Sequence, residues 1–259
     1  MLMEDYSSSA RRKSRDVAPL KKTLVFTGGV CPPPARTARL FSRLGTPDFV
    51  IAADSGLEAC LAYAQLHGEE YMPDIVCGDF DSLTDKERML SADVTGTAEI
   101  AAFPADKDYT DTELALRIAE EDARKSGERM FLTLAGGSGG RADHFIGILD
   151  LFASDFPPDL WITEEQCLWL LRDGRSITIS GETGTISAAR TTESRTAGRI
   201  ISDGLEWESP LFRKEGMPSI SNRRKTGAGH VVMTAEGADF IIFTGFGADA
   251  VIRQNPDER

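Results

Sequence analysis

Five short apolar runs dominate the first 150 residues, and each is followed by a polar or glycine-rich turn. They cover residues 23–27, 48–53, 74–77, 99–103 and 130–135. Apolar runs of this length, bounded by turn residues, are typical of buried strands. Most are followed by apolar residues at helical spacing, for example Leu57, Leu61 and Ala64. Alternating strands and helices predict a parallel sheet in a three-layer α/β/α domain of the Rossmann-like type.

Two capping signatures mark predicted helix starts in this region. Ser55 with Glu58 and Thr110 with Glu113 both have the spacing of a capping box. A further helix is expected to begin near Thr84, and another to follow the glycine-rich residues 136–140.

The pattern changes at Pro157-Pro158. Beyond it, helical periodicity gives way to short alternating segments at residues 176–179, 184–187, 229–233 and 239–243. Such segments, separated by turn residues, predict an antiparallel β-sandwich. We therefore expect an α/β catalytic domain over residues 23–156 and a β-sandwich domain over residues 159–259.

Charge sets the first 22 residues apart from the rest. They hold six basic and three acidic residues, a net charge of +3. The whole chain has a net charge of −12, so the remaining residues carry −15. Without an apolar core this segment is no secretory signal, and a disordered basic tail is expected. An acidic protein is a poor nucleic-acid binder, and anionic ligands would need metal ions or local Arg and Lys.

The remaining composition indicates a cytoplasmic protein. The four cysteines are not spaced as metal ligands or as a disulfide framework, which predicts reduced thiols. No apolar run approaches the roughly 18 residues that a membrane span requires.

The candidate chemistry follows the strand ends. Asp54, the pair Asp79 and Asp81, residues 106–111, Gly28-Gly29 and residues 136–140 each come directly after a predicted strand. Because the carboxyl ends of parallel strands lie along one edge of a sheet, where open α/β sheets bind ligands, these segments are expected to converge in one cleft.

Four acids on that edge predict a magnesium site: Asp54, Asp79, Asp81 and Asp111. Taken singly, these acids have ordinary explanations. Two acids at i and i+2, such as Asp79 and Asp81, are common in solvated loops, and a helix dipole favours Asp111 in a first helical turn. Clustered carboxylates repel one another unless a cation neutralises them, and hard oxygen ligands suit Mg²⁺ with phosphate.

Phosphate contacts are expected from Lys107, Arg141 and the glycine turn at residues 136–140. The turn matches neither the Walker pattern nor GxGxxG in full. Thr110 is explained by capping alone, and Asp143 by a cap in the next helix.

Four motifs together resemble the thiamine pyrophosphokinase (thiamine diphosphokinase) family. They are Ala53-Asp54-Ser55-Gly56, Gly78-Asp79-Phe80-Asp81-Ser82, Asp106-Lys107-Asp108-Tyr109-Thr110-Asp111 and Gly137-Ser138-Gly139-Gly140-Arg141-Ala142-Asp143-His144. Order and spacing agree over about residues 23–150. Gly204-Leu205-Glu206-Trp207 and Ser219-Ile220-Ser221-Asn222 match the family's thiamine-binding part more faintly. Ser55 stands where the family often has Gly, and Glu206 replaces a common Lys.

The resemblance implies transfer of diphosphate from ATP to the hydroxyl of thiamine, in a homodimer whose sites lie at the subunit interface. It implies Mg²⁺ bound by Asp79, Asp81 and Asp111, with Asp54 as first choice to orient or deprotonate the hydroxyl. The implied ATP-binding residues are Gly28, Gly29, Asp106, Lys107, Thr110, Gly137, Gly139, Arg141 and Asp143. Thiamine would be contacted by Trp207, Ser219, Ser221 and Asn222.

Three alternatives stay open at this point. A related pyrophosphokinase could act on another alcohol such as a hydroxymethylpterin, a DxD-type transferase could use a nucleotide sugar, and a binding protein could keep the fold without turnover.

Overall fold

The computed structural model describes residues 20–81, 86–104, 106, 108–192, 198–208 and 218–254. The first-half strands are β1 (Leu20–Thr27), β2 (Phe49–Ala53), β3 (Ile75–Gly78), β4 (Glu99–Ala102) and β5 (Arg129–Gly136). The helices are α1 (Pro34–Leu44), α2 (Gly56–His67), α3 (Lys86–Met89), α4 (Ala92–Thr95), α5 (Asp111–Ser126) and α6 (Ala142–Asp150), with short 3₁₀ turns at Glu69–Tyr71 and Leu151–Ala153.

The second half is built of strands. They are β6 (Leu160–Ile162), β7 (Cys167–Leu171), β8 (Arg175–Gly181), β9 (Thr185–Arg190), β10 (Arg199–Asp203), β11 (Ser219–Arg223), β12 (Val231–Glu236), β13 (Phe240–Thr244) and β14 (Ala248–Gln254).

One ten-stranded mixed sheet runs through both halves in the order β11-β9-β13-β7-β6-β5-β1-β2-β3-β4. The strands from β4 to β6 are parallel, as predicted for the first five, and those from β7 to β11 are antiparallel. A second antiparallel sheet has the order β10-β12-β8-β14.

The sheet continues across Pro157-Pro158, where the sequence predicted a boundary, because β6 pairs in parallel with β5. The antiparallel character of the second half is confirmed, but one of its two sheets is an extension of the parallel sheet. The division into two domains stays a prediction.

Alternate residues of β1 enter two separate cores, as expected for a sheet covered on both faces. Leu24 and Phe26 lie in one cluster with Leu57 of α2, and the same cluster continues between the two sheets of the second half. Val25 lies in the other cluster with Leu116 of α5. The helices on the two faces thereby hold the strand ends, and the loops that follow them, at one edge.

Several boundaries differ from the predictions. Strand β1 begins at Leu20, so Lys21 and Lys22 belong to the sheet rather than to the tail, and Lys21 pairs with Asp122 of α5. Helix α1 was missed because its start follows a run of prolines, although proline is compatible with a first helical turn. Thr84 lies outside the described residues. No helix in the described ranges is long and apolar enough to cross a membrane.

Candidate active site

The acid rim, which we define as Asp54, Asp79, Asp81 and Asp111, lies at the carboxyl ends of neighbouring strands. Asp54 directly follows β2 and Asp79 directly follows β3, which pairs with β2 in parallel. The backbone N–H of Asp54 donates to the carbonyl of Cys77 at 2.8 Å, so the pairing continues to the acid itself. The predicted convergence is therefore confirmed for these loops.

Three of the acids are close enough to share one cation. Carboxylate oxygens of Asp54, Asp79 and Asp81 all lie within 4.8 Å of one another. Asp111, at the first position of α5, stands beside them across Gly78. A Cβ built on Gly78 would lie 3.2 Å from Cβ of Asp54 and 3.3 Å from Oδ1 of Asp111. Gly78, with φ +143°, thus leaves the space in which the two acids approach.

Mutual repulsion is visible in the pKa of Asp81, which is raised above the usual value. The largest cause is the negative charge of Asp79, followed by their hydrogen bond, a small burial effect, and the charges of Asp54 and Asp111. The charges of the other three acids of the rim therefore all act on Asp81.

The loop between Asp79 and Asp81 is fixed by its central residue. Phe80 is only 2 % exposed and packs into the core, so the flanking carboxylates turn outward. The ammonium group of Lys86 donates to the carbonyl of Asp79 at 2.8 Å and lies 5.4 Å from the centre of the Phe80 ring. Lys86 was not identified from the sequence, because it lies four residues beyond the motif of residues 78–82.

Left-handed backbone conformations occur at the acid rim and in β11. In the described ranges, the non-glycine residues with positive φ are Asp54 (49°), Phe80 (62°) and Ser221 (59°). Each of the three lies in a segment singled out from the sequence. Such conformations are disfavoured for residues with a Cβ and are concentrated at functional sites.

The two glycine turns meet each other and the acid rim. The N–H of Val30 donates to the carbonyl of Ser138 at 2.6 Å, and the Ser138 hydroxyl donates to the carbonyl of Val30 at 2.9 Å. A Cβ on Gly29 would lie 3.2 Å from the Cα of Gly137, and one on Gly28 would lie 2.6 Å from the hydroxyl oxygen of Ser55. The turns after β1, β2 and β5 therefore form one continuous surface.

Ser55 does not cap α2 with its side chain, so the predicted capping box is wrong there. The hydroxyl lies over Gly28 instead, and the backbone of Ser55 is already helical. At α5 the box is confirmed: the Thr110 hydroxyl accepts from the N–H of Glu113, whose carboxylate accepts from the N–H of Thr110.

Helix α5 is also joined to β1 by a buried pair of hydroxyl groups. The oxygens of Thr27 and Thr112 lie 2.5 Å apart, and both residues are buried. Since Thr112 follows Asp111 directly, this hydrogen bond helps to fix the Asp111 backbone. The pair was not predicted, because neither threonine belongs to a recognisable motif.

The remaining predicted phosphate contacts belong to the segments that follow β4 and β5 in the chain. Asp106 is exposed, and Lys107 lies outside the described residues. The guanidinium of Arg141 binds the carboxylate of Asp143 through two hydrogen bonds of 3.1 and 2.6 Å. This ion pair lowers the pKa of Asp143 to about 2. Gly137 is buried and Gly139 exposed.

A second concave site lies in the other half of the molecule, between the two sheets. We call it the Trp207 pocket; it holds about 320 Å³ of empty space open to solvent. Its lining residues are all uncharged: Ile186, Ser187, Ala188, Ile200, Ser202, Leu205, Trp207, Ser219, Asn222 and Met233. Trp207 is 57 % exposed, so this ring is not part of the core.

Three of the four predicted thiamine contacts line this pocket, namely Trp207, Ser219 and Asn222. Asn222 is 6 % exposed, and its amide bonds the backbone of Trp207: Nδ2 donates to the Trp207 carbonyl at 2.9 Å, and Oδ1 accepts from the Trp207 N–H at 3.3 Å. Asn222 thus positions Trp207. Ser221 lies in an irregularity of β11 and donates its N–H to the hydroxyl oxygen of Ser187 at 3.0 Å.

The two sites are far apart within one chain. Six strand-to-strand steps separate β9, at the Trp207 pocket, from β2, at the acid rim. At about 4.8 Å a step, this is about 30 Å across the sheet.

Comparisons with known proteins agree on one family. Its sequence model, described as thiamin pyrophosphokinase, catalytic domain, matches residues 42–160. Among curated proteins, the thiamine pyrophosphokinase of Bacillus subtilis (strain 168) is 38 % identical over 74 residues. That segment covers 29 % of this chain and 31 % of the relative, so the match spans about a third of the relative's length.

Solved structures extend the likeness to most of the fold. The thiamine pyrophosphokinase of Bacillus subtilis is 19 % identical with a TM-score of 0.65, covering 87 % of this chain and 99 % of its own. The family protein of Enterococcus faecalis is 20 % identical with a TM-score of 0.63, covering 87 % and 98 %. The enzyme of Candida albicans is 16 % identical with a TM-score of 0.61, covering 90 % and 95 %. The mixed sheet and the antiparallel second half are therefore a shared fold.

Proposed function

We propose that this chain, whose residues 42–160 match the thiamin pyrophosphokinase family model, is a thiamine pyrophosphokinase that transfers the diphosphate group of ATP to the hydroxyl of thiamine. The products are thiamine diphosphate and AMP. The observation that carries the proposal is the acid rim, where carboxylate oxygens of Asp54, Asp79 and Asp81 lie within 4.8 Å of one another with Asp111 beside Gly78.

The rim fits a divalent cation by the chemistry of its donors. Hard oxygen ligands from one or two carboxylates, completed by phosphate and water, are what Mg²⁺ takes in proteins. Asp79, Asp81 and Asp111 are the proposed ligands, and Asp54 is near enough to join them. The raised pKa of Asp81 supports this assignment, since a cation would relieve the repulsion that raises it.

When bound, Mg²⁺ would neutralise phosphate charge during transfer. The residues of the chain position the two reactants. Asp54 orients the hydroxyl of thiamine and accepts its proton while the hydroxyl oxygen bonds to the β-phosphorus of ATP. The bond from the β-phosphorus to the oxygen that bridges the α- and β-phosphates breaks, and AMP leaves with that oxygen.

The turns beside the rim are the proposed ATP-binding surface. Backbone N–H groups near Gly28, Gly29 and Gly139, which are exposed or half-buried, can meet phosphate oxygens, and the buried Gly137 belongs to the same proposed turn. Arg141 would exchange its ion pair with Asp143 for phosphate oxygens. Contacts from Asp106, Lys107 and Thr110 belong to the same proposal; the Thr110 hydroxyl is already engaged in its cap.

Thiamine is proposed to bind in the Trp207 pocket, with the indole ring against the thiazolium cation and with Ser219 and Ser221 as hydrogen-bonding groups. The distance of about 30 Å between pocket and rim exceeds what one small alcohol can span. It supports a homodimer in which the Trp207 pocket of one copy faces the acid rim of the other. We place this enzyme in the cytoplasm.

An assay of AMP release tests the proposal. The protein is incubated with ATP and Mg²⁺, with and without thiamine, and AMP and thiamine diphosphate are measured. Thiamine-dependent formation of both in equal amounts is expected. AMP formed only with hydroxymethylpterin would favour the related pyrophosphokinase, transfer from a nucleotide sugar would favour a DxD transferase, and ligand binding without AMP would favour a non-catalytic protein.

A further inference from the structure

An acidic residue outside the family motifs is bonded to the wall of the Trp207 pocket. The carboxylate of Glu208 accepts a hydrogen bond from the N–H of Leu205 at 2.7 Å and another from the hydroxyl of Ser202. Both donors line the pocket. The negative charge of Glu208 is thus held at a fixed place beside a wall whose lining residues are themselves uncharged.

A positive charge lies on the same side of the molecule. The guanidinium of Arg223 is 5.2 Å from the centre of the Trp207 ring. A cationic ligand that stacks on this ring would be repelled by Arg223, so an opposite charge close by is needed to make cation binding favourable. Glu208, whose carboxylate is bonded to the pocket-lining residues Leu205 and Ser202, supplies it.

We propose that Glu208 is a specificity-determining residue that favours a cationic ring over an uncharged ring of the same shape. This inference rests on the proposed function, in which the ring is the thiazolium of thiamine. The ring nitrogen of a thiazolium carries a carbon substituent and has no N–H to donate, so a carboxylate can recognise it only through charge. A fixed anion near the indole therefore distinguishes thiamine from a neutral analogue.

A purely structural role for Glu208 has a different signature. Its two hydrogen bonds fasten the segment before Trp207 to Ser202 of β10, and loss of that fastening would weaken binding of any ligand of the same shape. Loss of the charge would weaken binding of the cation alone. The two roles are separated by comparing a charged ligand with an uncharged one.

The experiment uses Glu208→Gln, which keeps the shape and an acceptor oxygen but removes the charge. Binding of thiamine, and of an analogue whose thiazolium is replaced by an uncharged thiophene ring, is measured by calorimetry on the full-length protein. We expect the Kd for thiamine to rise about threefold to fivefold, the size of an exposed charge pair, with no change for the analogue. The difference should shrink as salt is raised.

Two control variants locate the effect. Ser202→Ala removes one hydrogen bond but keeps the charge, and should affect both ligands alike. Glu206→Gln removes an equal charge from an exposed neighbour whose side chain makes no hydrogen bond within the described segments, and should affect neither. Equal changes for both ligands in Glu208→Gln, or no change at all, would overturn the inference.

The outcomes also separate this inference from the function on which it rests. If wild-type protein forms AMP with thiamine but Glu208→Gln treats both ligands alike, only the role of Glu208 is lost. If wild-type protein neither binds thiamine nor forms AMP with it, the proposed function and the inference fall together.

Discussion

The acid rim and the Trp207 pocket are built in opposite ways. At the rim, Asp54 and Asp79 come directly after strands and Asp111 opens a helix, while Asp81 follows Asp79 in the same loop. The parallel sheet brings these segments together by backbone pairing. At the pocket, Trp207 lies between strands and is held by the side chain of Asn222 on the irregular edge strand β11. Repelling charges require rigid placement, whereas a wall for a stacked ring needs only one well-oriented aromatic side chain.

This comparison predicts that damage to the rim should remove catalysis, while damage to the pocket should mainly change the affinity for thiamine. The largest effect is expected for Asp81→Asn, which removes one carboxylate of the cluster. We expect kcat/KM to fall at least about a hundredfold with an unchanged fold, because metal affinity and charge neutralisation both suffer.

Activity and circular dichroism are compared with those of Asp108→Asn, an exposed acid in a neighbouring loop. Near-normal activity of Asp81→Asn at saturating Mg²⁺ would remove the metal-binding role.

Gly78→Ala tests the close approach within the rim. The new Cβ would meet Asp54 and Asp111 at 3.2–3.3 Å in a backbone conformation with φ +143°. We expect the free energy of unfolding to fall by about 1–3 kcal/mol. We also expect weaker binding of Mg²⁺, seen as a higher Mg²⁺ concentration for half-maximal activity. Urea unfolding and a Mg²⁺ titration measure the two.

Gly127→Ala is the matched control, since Gly127 also has positive φ but open space around it. If both variants behave alike in the Mg²⁺ titration, the crowding at Gly78 has no role in the site.

Trp207→Ala tests the pocket side of the comparison. Loss of the stacking surface should raise the KM for thiamine about tenfold, with the KM for ATP unchanged, since a desolvated cation–π contact is worth about 1–2 kcal/mol. Little stability should be lost, because the ring is 57 % exposed.

Ile220→Ala, on the same edge of the sheet but not in the pocket lining, serves as control. An unchanged KM for thiamine in Trp207→Ala would show that the indole does not contact the substrate.

The smallest effect is expected for Thr112→Val, which breaks the buried hydrogen bond to Thr27 without changing the side-chain shape. We expect a loss of about 1 kcal/mol of unfolding free energy, since one buried hydroxyl loses its partner. Thr112→Ser keeps the hydroxyl and should recover most of it. Urea unfolding of both variants measures the difference; equal stability of Thr112→Val and wild type would mean that this bond does not hold α5 in place.

Local signals in the sequence were enough for the rim. Apolar runs located the strands, and the acids that follow them reached one edge because parallel strands end together. The cap at Thr110 was also predictable, since its partner Glu113 lies only three residues further along the chain. Contacts between segments that are distant in the chain were not predictable from local signals. The predicted side-chain cap at Ser55 is wrong because the hydroxyl lies against Gly28, a contact that depends on how β1 and β2 pack.

The second half was less predictable for the same reason. Strands β6 and β7 are wholly apolar and show no alternation, because they are buried inside the extended sheet. The amide of Asn222 was predicted to bind thiamine, but its contacts with Trp207 join residues fifteen positions apart. The position of Glu208 likewise depends on where Ser202 and Leu205 come together.

The central claim is that the acid rim and the Trp207 pocket serve one reaction across two copies of the chain. The most direct measurement uses a purified heterodimer of one Asp81→Asn copy and one Trp207→Ala copy, carrying different tags, assayed for thiamine-dependent AMP release at low thiamine. If each site takes its rim from one copy and its pocket from the other, one of the two sites is intact, and about half of the wild-type rate per dimer is expected. Activity no higher than that of the two variant homodimers would contradict the account.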